Sequence, residues 1–275
     1  MEFAFAELLT HGFIQRALIA GSFISILCST LGIFLVLRRL SLIGDGLAHV
    51  TFGSVAVGLL FRASPFYVAI PIVMFAGLGI LKLIEKARLY GDAAIGVVSS
   101  IGISAGVIIA SVAGGFNVDL FSYLFGNILA INTTEVIISI VLSVVLLVLL
   151  VLFYEDLFAT TFSEDAARTS GIKTTQINRV LVLLIGLTVV LAMKVVGIML
   201  ISALLILPPV TALQIARSFR ATIFISASTG LISVILGIFI SFLLNFPTGA
   251  TVVIINFLLF ITGFAIGRVR AGYLK

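Results

Sequence analysis

Long apolar runs broken by short charged punctuation organise this chain. The run from Ala17 to Leu37 is 21 residues without a charge, enough to cross a bilayer as a helix. Arg38-Arg39 closes it. A second run from about Gly44 to Phe61 ends in the tight turn Arg62-Ala-Ser-Pro65. A third extends from about Phe66 to Leu83, with Lys82, Glu85, Lys86 and Arg88 at its far end. Gly91-Asp92-Ala-Ala-Ile-Gly96 opens a fourth, reaching about Ala113, where Asp92 is expected to cap the helix at the positive end of its dipole. Residues 114–132 are less apolar and read as a loop plus a short or re-entrant helix. A fifth run spans Thr134 to Tyr154, and others follow at about 177–193, 195–216, 221–244 and 249–267. The pattern predicts nine crossings, or eight if one run is re-entrant. Residues 1–11, with Glu2, Glu7 and His11, form a short amphipathic lead and receive no role.

Two interruptions stand out. The stretch Glu155–Arg179 holds seven charged residues in 25 and reads as a solvent-exposed loop. Within it, Ser163-Glu164-Asp165-Ala166-Ala167-Arg168 has an N-cap serine followed by first-turn acids, the pattern of a short helix that Gly171 would stop. A short helix kept between two membrane segments is expected to dock something. The second interruption is Leu207-Pro208-Pro209, inside an apolar run. Two prolines cannot continue a regular hydrogen-bond ladder. Either they mark a pathway break at membrane depth, tolerable where protein or water surrounds the freed carbonyls, or they make a plain packing kink.

Composition narrows the class. Hydrophobic residues make up 61% of the chain and charged residues 10%, with a mean hydropathy of +1.36. This is an all-α polytopic membrane protein, a single transmembrane domain over residues 1–275. The lone cysteine, Cys28, excludes an internal disulfide and a zinc–thiolate cluster. A net charge of +5 is no nucleic-acid footprint, because the basic residues sit scattered at segment ends. They report topology instead. With nine crossings and the Glu155–Arg179 loop in the cytoplasm, thirteen of the sixteen Lys and Arg residues fall inside, leaving Arg16, Arg62 and Lys194 outside. That bias predicts an outside amino terminus and a cytoplasmic carboxyl terminus.

Against this apolar background, Gly44-Asp45-Gly46-Leu47-Ala48-His49 is the stretch with chemistry. On a helix Asp45 and His49 lie one turn apart on one face. A carboxylate and a neutral imidazole are common ligands for a first-row divalent ion, zinc especially, and ionisable groups inside membrane segments mark sites or pathways by default. The plainer alternative has Asp45 capping the helix and His49 satisfied by a carbonyl. Asp119, Asn127 and Ser202 stay open as additional path residues. The chain lacks Gly-x-x-x-x-Gly-Lys-Ser/Thr, so it is not its own ATP motor. It also lacks Gly-x-Ser-x-Gly and His-Glu-x-x-His, which argues against hydrolase or protease chemistry.

The run Arg38-Arg39-Leu-Ser-Leu-Ile-Gly-Asp45-Gly-Leu-Ala-His49 resembles the signature of the permease subunits of zinc and manganese ABC importers. Asp92-Ala-Ala-Ile-Gly96, Leu124-Phe-Gly-Asn-Ile-Leu129 and Val196-Gly-Ile-Met-Leu-Ile-Ser-Ala-Leu-Leu-Ile-Leu-Pro-Pro-Val-Thr-Ala212 extend the likeness over nearly the whole chain. Asp165-Ala-Ala-Arg-Thr-Ser-Gly171 resembles the Glu-Ala-Ala-x-x-x-Gly coupling motif of bacterial importers, with Asp in place of Glu. The resemblance implies a type II, vitamin-B12-importer-like ABC permease fold in a bacterial cell membrane, working as a homodimer. It implies two cytoplasmic ATP-binding subunits that use the ATP, and an extracytoplasmic metal-binding protein that delivers the ion. By the same resemblance Asp45 and His49 are metal-pathway residues. Glu164, Asp165, Ala166, Ala167 and Gly171 couple to the ATPase, and the chain carries no cofactor of its own.

On the choice of ion, the manganese-type branch tends to place Pro-Gly shortly after the histidine. Here Val50-Thr51-Phe52-Gly53 has the glycine without the proline, so zinc is expected ahead of manganese. Three rival readings stay in view. One is a secondary transporter in which Asp45 and His49 relay protons, active without an ATPase. Another is a membrane scaffold in which both residues are structural. A siderophore permease of the same fold is the third, and it would show a wider aromatic or polar cavity instead of an acid–histidine pair.

Overall fold

The computed structural model describes residues 12–113, 118–126, 133–193 and 196–273. Every regular element in them is helical. In chain order they are α1 (Gly12–Leu37), α2 (Ile43–Leu60), α3 (Pro65–Ala87), α4 (Gly91–Val112), α5 (Val118–Phe125) and α6 (Thr133–Leu152). The short α7 (Tyr154–Phe162) and α8 (Glu164–Thr169) follow, then α9 (Thr174–Ala192). After a 3₁₀ turn at Ile198–Leu200 come α10 (Ile201–Ile215), α11 (Phe219–Leu244) and α12 (Thr248–Tyr273). Among the described residues eight helices are long and apolar enough to cross a membrane, and Ile201–Ile215 is a shorter apolar ninth. Glu2, Glu7, His11, Asn127, Lys194 and Lys275 lie outside the described residues.

The core is built around α1 and α2. Ile24, Leu27, Cys28, Leu31 and Phe34 of α1 are wholly buried, as are Ile43, Leu47 and Val55 of α2. The outer helices turn large apolar side chains outward instead, among them Phe75 on α3, Ile101 and Val112 on α4, Val151 on α6 and Phe257 on α12. In water such a surface would aggregate; against acyl chains it is the expected finish of a membrane bundle. Small residues set the crossings. Gly46 meets Ile95 and Gly53 meets Gly102, so α2 and α4 run parallel, while α3, which connects them in the chain, packs Gly77 against Val182 of α9 and Leu47 of α2. Close helix approach of this kind is what glycine permits where hydrophobic burial gives no net drive.

Three local expectations are corrected. Asp92 does not cap α4: Tyr90 is the N-cap, without a side-chain bond, and Asp92 sits in the first turn where its charge still complements the dipole. The Glu155–Arg179 insert is not an extended loop. It is mostly helix, with the rings of Tyr154, Phe158 and Phe162 packed in series and Phe158 seated against Phe219 at a centroid distance of 4.9 Å. Nor does the chain break at Pro208-Pro209, since α10 continues through both. Proline removes the bonds to the carbonyls of residues four back. One of these, the Leu205 oxygen, lies against Gly32 of α1, where a Cβ would collide with it. The irregularity falls earlier, at Gly197, whose φ of 93° belongs to glycine. A Cβ there would meet the backbone of Phe125 and Gly126, so this turn brings α5 against the start of α10.

Candidate metal-ion site

The first turns of α2 position the acid–histidine pair. The N-cap of α2 is Leu42, with no capping side chain, and Asp45 lies in the first turn. Its carboxylate is therefore not used as a cap and is favoured there by the helix dipole. His49 follows one turn on, with Nε2 at 3.5 Å from Asp45 Oδ2. The Ser202 side chain, at the head of α10, lies near the Asp45 carboxylate. His49 Nδ1 is buried and finds no partner among the described residues. The reading in which a backbone carbonyl satisfies the imidazole is therefore not the arrangement seen.

Packing explains why this face alone is open. Gly44 lies against Leu205 of α10, Gly46 and Gly53 lie against α4, and Leu47 reaches Gly77 of α3 and Gly186 of α9. At about 100° per residue, neighbours cover α2 on three sides, and Asp45 and His49 occupy the remaining arc between α10 and α4. Along this stretch Gly44, Gly46, Leu47, Ala48 and Val50 are all buried. The side chains of His49 and Asp45 keep 21% and 45% of their surface accessible.

The donor set is small. One carboxylate, one imidazole and one hydroxyl converge, and no group of three or more His, Cys, Asp or Glu side chains forms among the described residues. A structural zinc site closes with four protein ligands; this one leaves coordination positions for water or for donors from elsewhere.

The other expected residues lie apart from this pair. Ser163 Oγ accepts from Ala166 N at 3.2 Å, capping α8 as the sequence implies. Glu164, Asp165 and Ala166 are exposed, Ala167 is buried and anchors the helix, and Gly171 takes a φ of 90° just past its end. Glu164 pairs with Arg168 at 3.3 Å. Pro208 and Pro209 are buried within α10 and carry no donor toward Asp45. Ser202 was one of three polar candidates and is the one brought to the pair; Asn127 and the side chain of Asp119 lie outside the described residues. Its signal in the sequence is a lone hydroxyl six residues before the prolines, which by itself distinguishes nothing.

Comparison with known proteins gives a consistent picture. A family model described as the ABC 3 transport family matches residues 10–267. The manganese transport system membrane protein MntC of Halalkalibacterium halodurans is 31% identical over 264 residues, covering 96% of this chain and 90% of that protein. The high-affinity zinc uptake system membrane protein ZnuB of Haemophilus influenzae is 31% identical over 250 residues, covering 89% of this chain and 94% of that protein. Among solved structures, PsaBC from Streptococcus pneumoniae in complex with Fab superposes with a TM-score of 0.83 at 32% identity, covering 96% of this chain and 95% of that chain.

Proposed function

Because the chain belongs to the ABC 3 transport family of metal-type ABC permeases, we propose that two copies of it form the membrane pathway of an ATP-driven importer for a divalent transition-metal ion. Each copy contributes Asp45 and His49 to a shared axis. Two carboxylates and two imidazoles then make a tetrahedral set suited to zinc, the preferred ion. A transit site must also release its cargo, so the pair binds more weakly than a closed structural site.

Two cytoplasmic ATPase subunits supply the energy, docking on α8 through Glu164, Asp165, Ala166, Ala167 and the Gly171 turn. A metal-binding protein outside the membrane delivers the ion. The amino terminus lies outside and the carboxyl terminus in the cytoplasm, in keeping with the distribution of Lys and Arg. The observation that carries this reading is the accessible acid–histidine face on the otherwise buried stretch Ile43–Ala56 of α2. Manganese is the second reading, favoured by the manganese-transporting relative and by the extra oxygen donor at Ser202.

The test is zinc and manganese uptake by the complex reconstituted with its ATPase and binding protein. Asp45→Asn and His49→Ala versions are compared after ATPase assay has established assembly. Uptake lost from assembled variants supports the pair as the ion's path; undiminished uptake in both sinks it. The same data rank the two ions.

A further inference from the structure

Arg38 is the first residue past α1 and turns back into the molecule. Its Nε donates to Thr161 Oγ1 at 3.0 Å, near the end of α7, and its Nη1 donates to Asn178 Oδ1 at 2.6 Å, on α9. Those two helices flank α8 in the chain. One guanidinium thus ties the α1–α2 turn to both supports of α8. The planar fork of arginine suits a two-partner bridge; a lysine ammonium at the same place is a point charge on a different geometry.

This bridge is held against a solvation cost. Burial lowers the Arg38 pKa from its ordinary value, with the Glu164 charge acting in the opposite direction, and Nη2 is buried without a partner among the described residues. A positive charge for topology alone does not need burial, since the neighbouring Arg39 is exposed. A cavity of about 740 Å³ adjoins the bridge, lined by Leu40, Ile84, Glu164 and Thr175 among others. Across the gap itself apolar packing transmits little, because dispersion falls away steeply with separation, although α9 meets α2 directly elsewhere, where Leu47 reaches Gly186. Among the described residues the polar ties over the gap from the α1–α2 turn are those of Arg38.

On the other side of the bridge the chain is stiff. Arg38, Arg39 and Leu40 donate their amides to Phe34, Val36 and Leu35, Ile43 donates to Leu40, and Gly46 donates to Leu42, all between 2.9 and 3.1 Å. These bonds brace the turn between Arg38 and Asp45, with Ser41, Leu42 and Gly44 donating none of them. We propose that Arg38 is a positioning residue that couples displacement of α7–α9 to the first turn of α2, and through it to Asp45 and His49. The proposal rests on the permease reading above, in which α8 receives the ATPase.

The experiment reconstitutes the full complex and measures zinc uptake and ATP hydrolysis together. It compares wild type, Arg38→Ala, Arg38→Lys, and the pair Thr161→Val with Asn178→Ala, which keeps the guanidinium but removes both partners. Coupling free energies between sites correspond to roughly 5- to 150-fold. The expected result is a fall of at least about fivefold in ions transported per ATP in Arg38→Ala and in the double variant. Arg38→Lys, which can keep one bond, should fall between. A purely structural role would lower the yield of complex and leave that ratio alone. A wild-type ratio in assembled Arg38→Ala overturns the proposal. If that variant does not assemble, a wild-type ratio in the double variant overturns it instead. A wild-type complex that hydrolyses ATP without taking up either ion overturns the permease reading, and the proposal falls with it.

Discussion

Gly53 and Gly102 meet backbone to backbone where α2 crosses α4. A Cβ on Gly53 would stand 2.7 Å from the Gly102 carbonyl oxygen, and one on Gly102 would stand 2.8 Å from the Val50 Cα. The obstacles are main chain, so no rotamer change relieves them. Gly102→Ala gains about 1 kcal/mol of helix propensity and loses about 1–3 kcal/mol to overpacking. A net destabilisation of up to about 2 kcal/mol is expected. Gly79→Ala on α3, where nothing lies within 4 Å, should be neutral or stabilising by about 0.5–1 kcal/mol. Thermal unfolding of both variants in detergent checks this, and equal shifts would refute the crossing as drawn.

Gly197 offers a sharper case, because space and conformation both oppose a side chain. Its φ of 93° costs an L-residue about 1–2 kcal/mol, and overpacking against Phe125 and Gly126 adds about 1–3 kcal/mol. Gly197→Ala should therefore cost about 2–5 kcal/mol and displace the head of α10, which carries Ser202. Metal uptake per assembled complex should fall with stability. A variant that keeps both wild-type stability and uptake would show that this turn is not what seats α10.

At the α7–α8 insert the effect should be local. Ser163→Ala removes the cap bond to Ala166 N, worth about 1 kcal/mol at a typical N-cap. Because α8 is only six residues long, that loss bears on whether the helix is formed before docking. The ATPase should bind about fivefold more weakly, as titration would report, with unfolding of the membrane bundle unchanged. An unaltered binding curve would mean that α8 is not the docking element.

Part of this architecture is legible in the sequence. The apolar runs were legible because a bilayer fixes the length of what crosses it, and the Asp45–His49 face was legible because a four-residue spacing has one helical meaning. The cap of α8 was readable for the same local reason. The insert was misread where charge density outweighed spacing: Tyr154, Phe158 and Phe162 recur at helical intervals and seat α7 against Phe219. Pro208 and Pro209 leave a break and a packing kink equally open, because a sequence shows the lost amides but not Gly32 making room beside the freed carbonyl of Leu205. Arg38 read as a topological charge, since its partners Thr161 and Asn178 are 123 and 140 residues away. Ser202 stands in the sequence as one of three polar candidates and is undistinguished there for that reason too. Residues whose meaning is a distant neighbour are silent in one dimension.

The pair's chemistry also fixes a pH dependence with a definite sign. An imidazole ligates through a neutral nitrogen, so a proton and the metal ion compete for His49. Binding is fully present where the imidazole is neutral and is lost as pH falls through its pKa. Below that point each imidazole lowers the apparent affinity by up to about tenfold per pH unit, and a site sharing two copies of His49 by up to about a hundredfold. Asp45→Asn should weaken binding while keeping the slope, because the titrating ring remains. His49→Asn should weaken it and flatten the slope. Metal titrations of the purified permease check this without relying on ATPase activity, which has a pH profile of its own. A slope that survives in His49→Asn would assign the proton competition to another group and remove the imidazole from the ion's path.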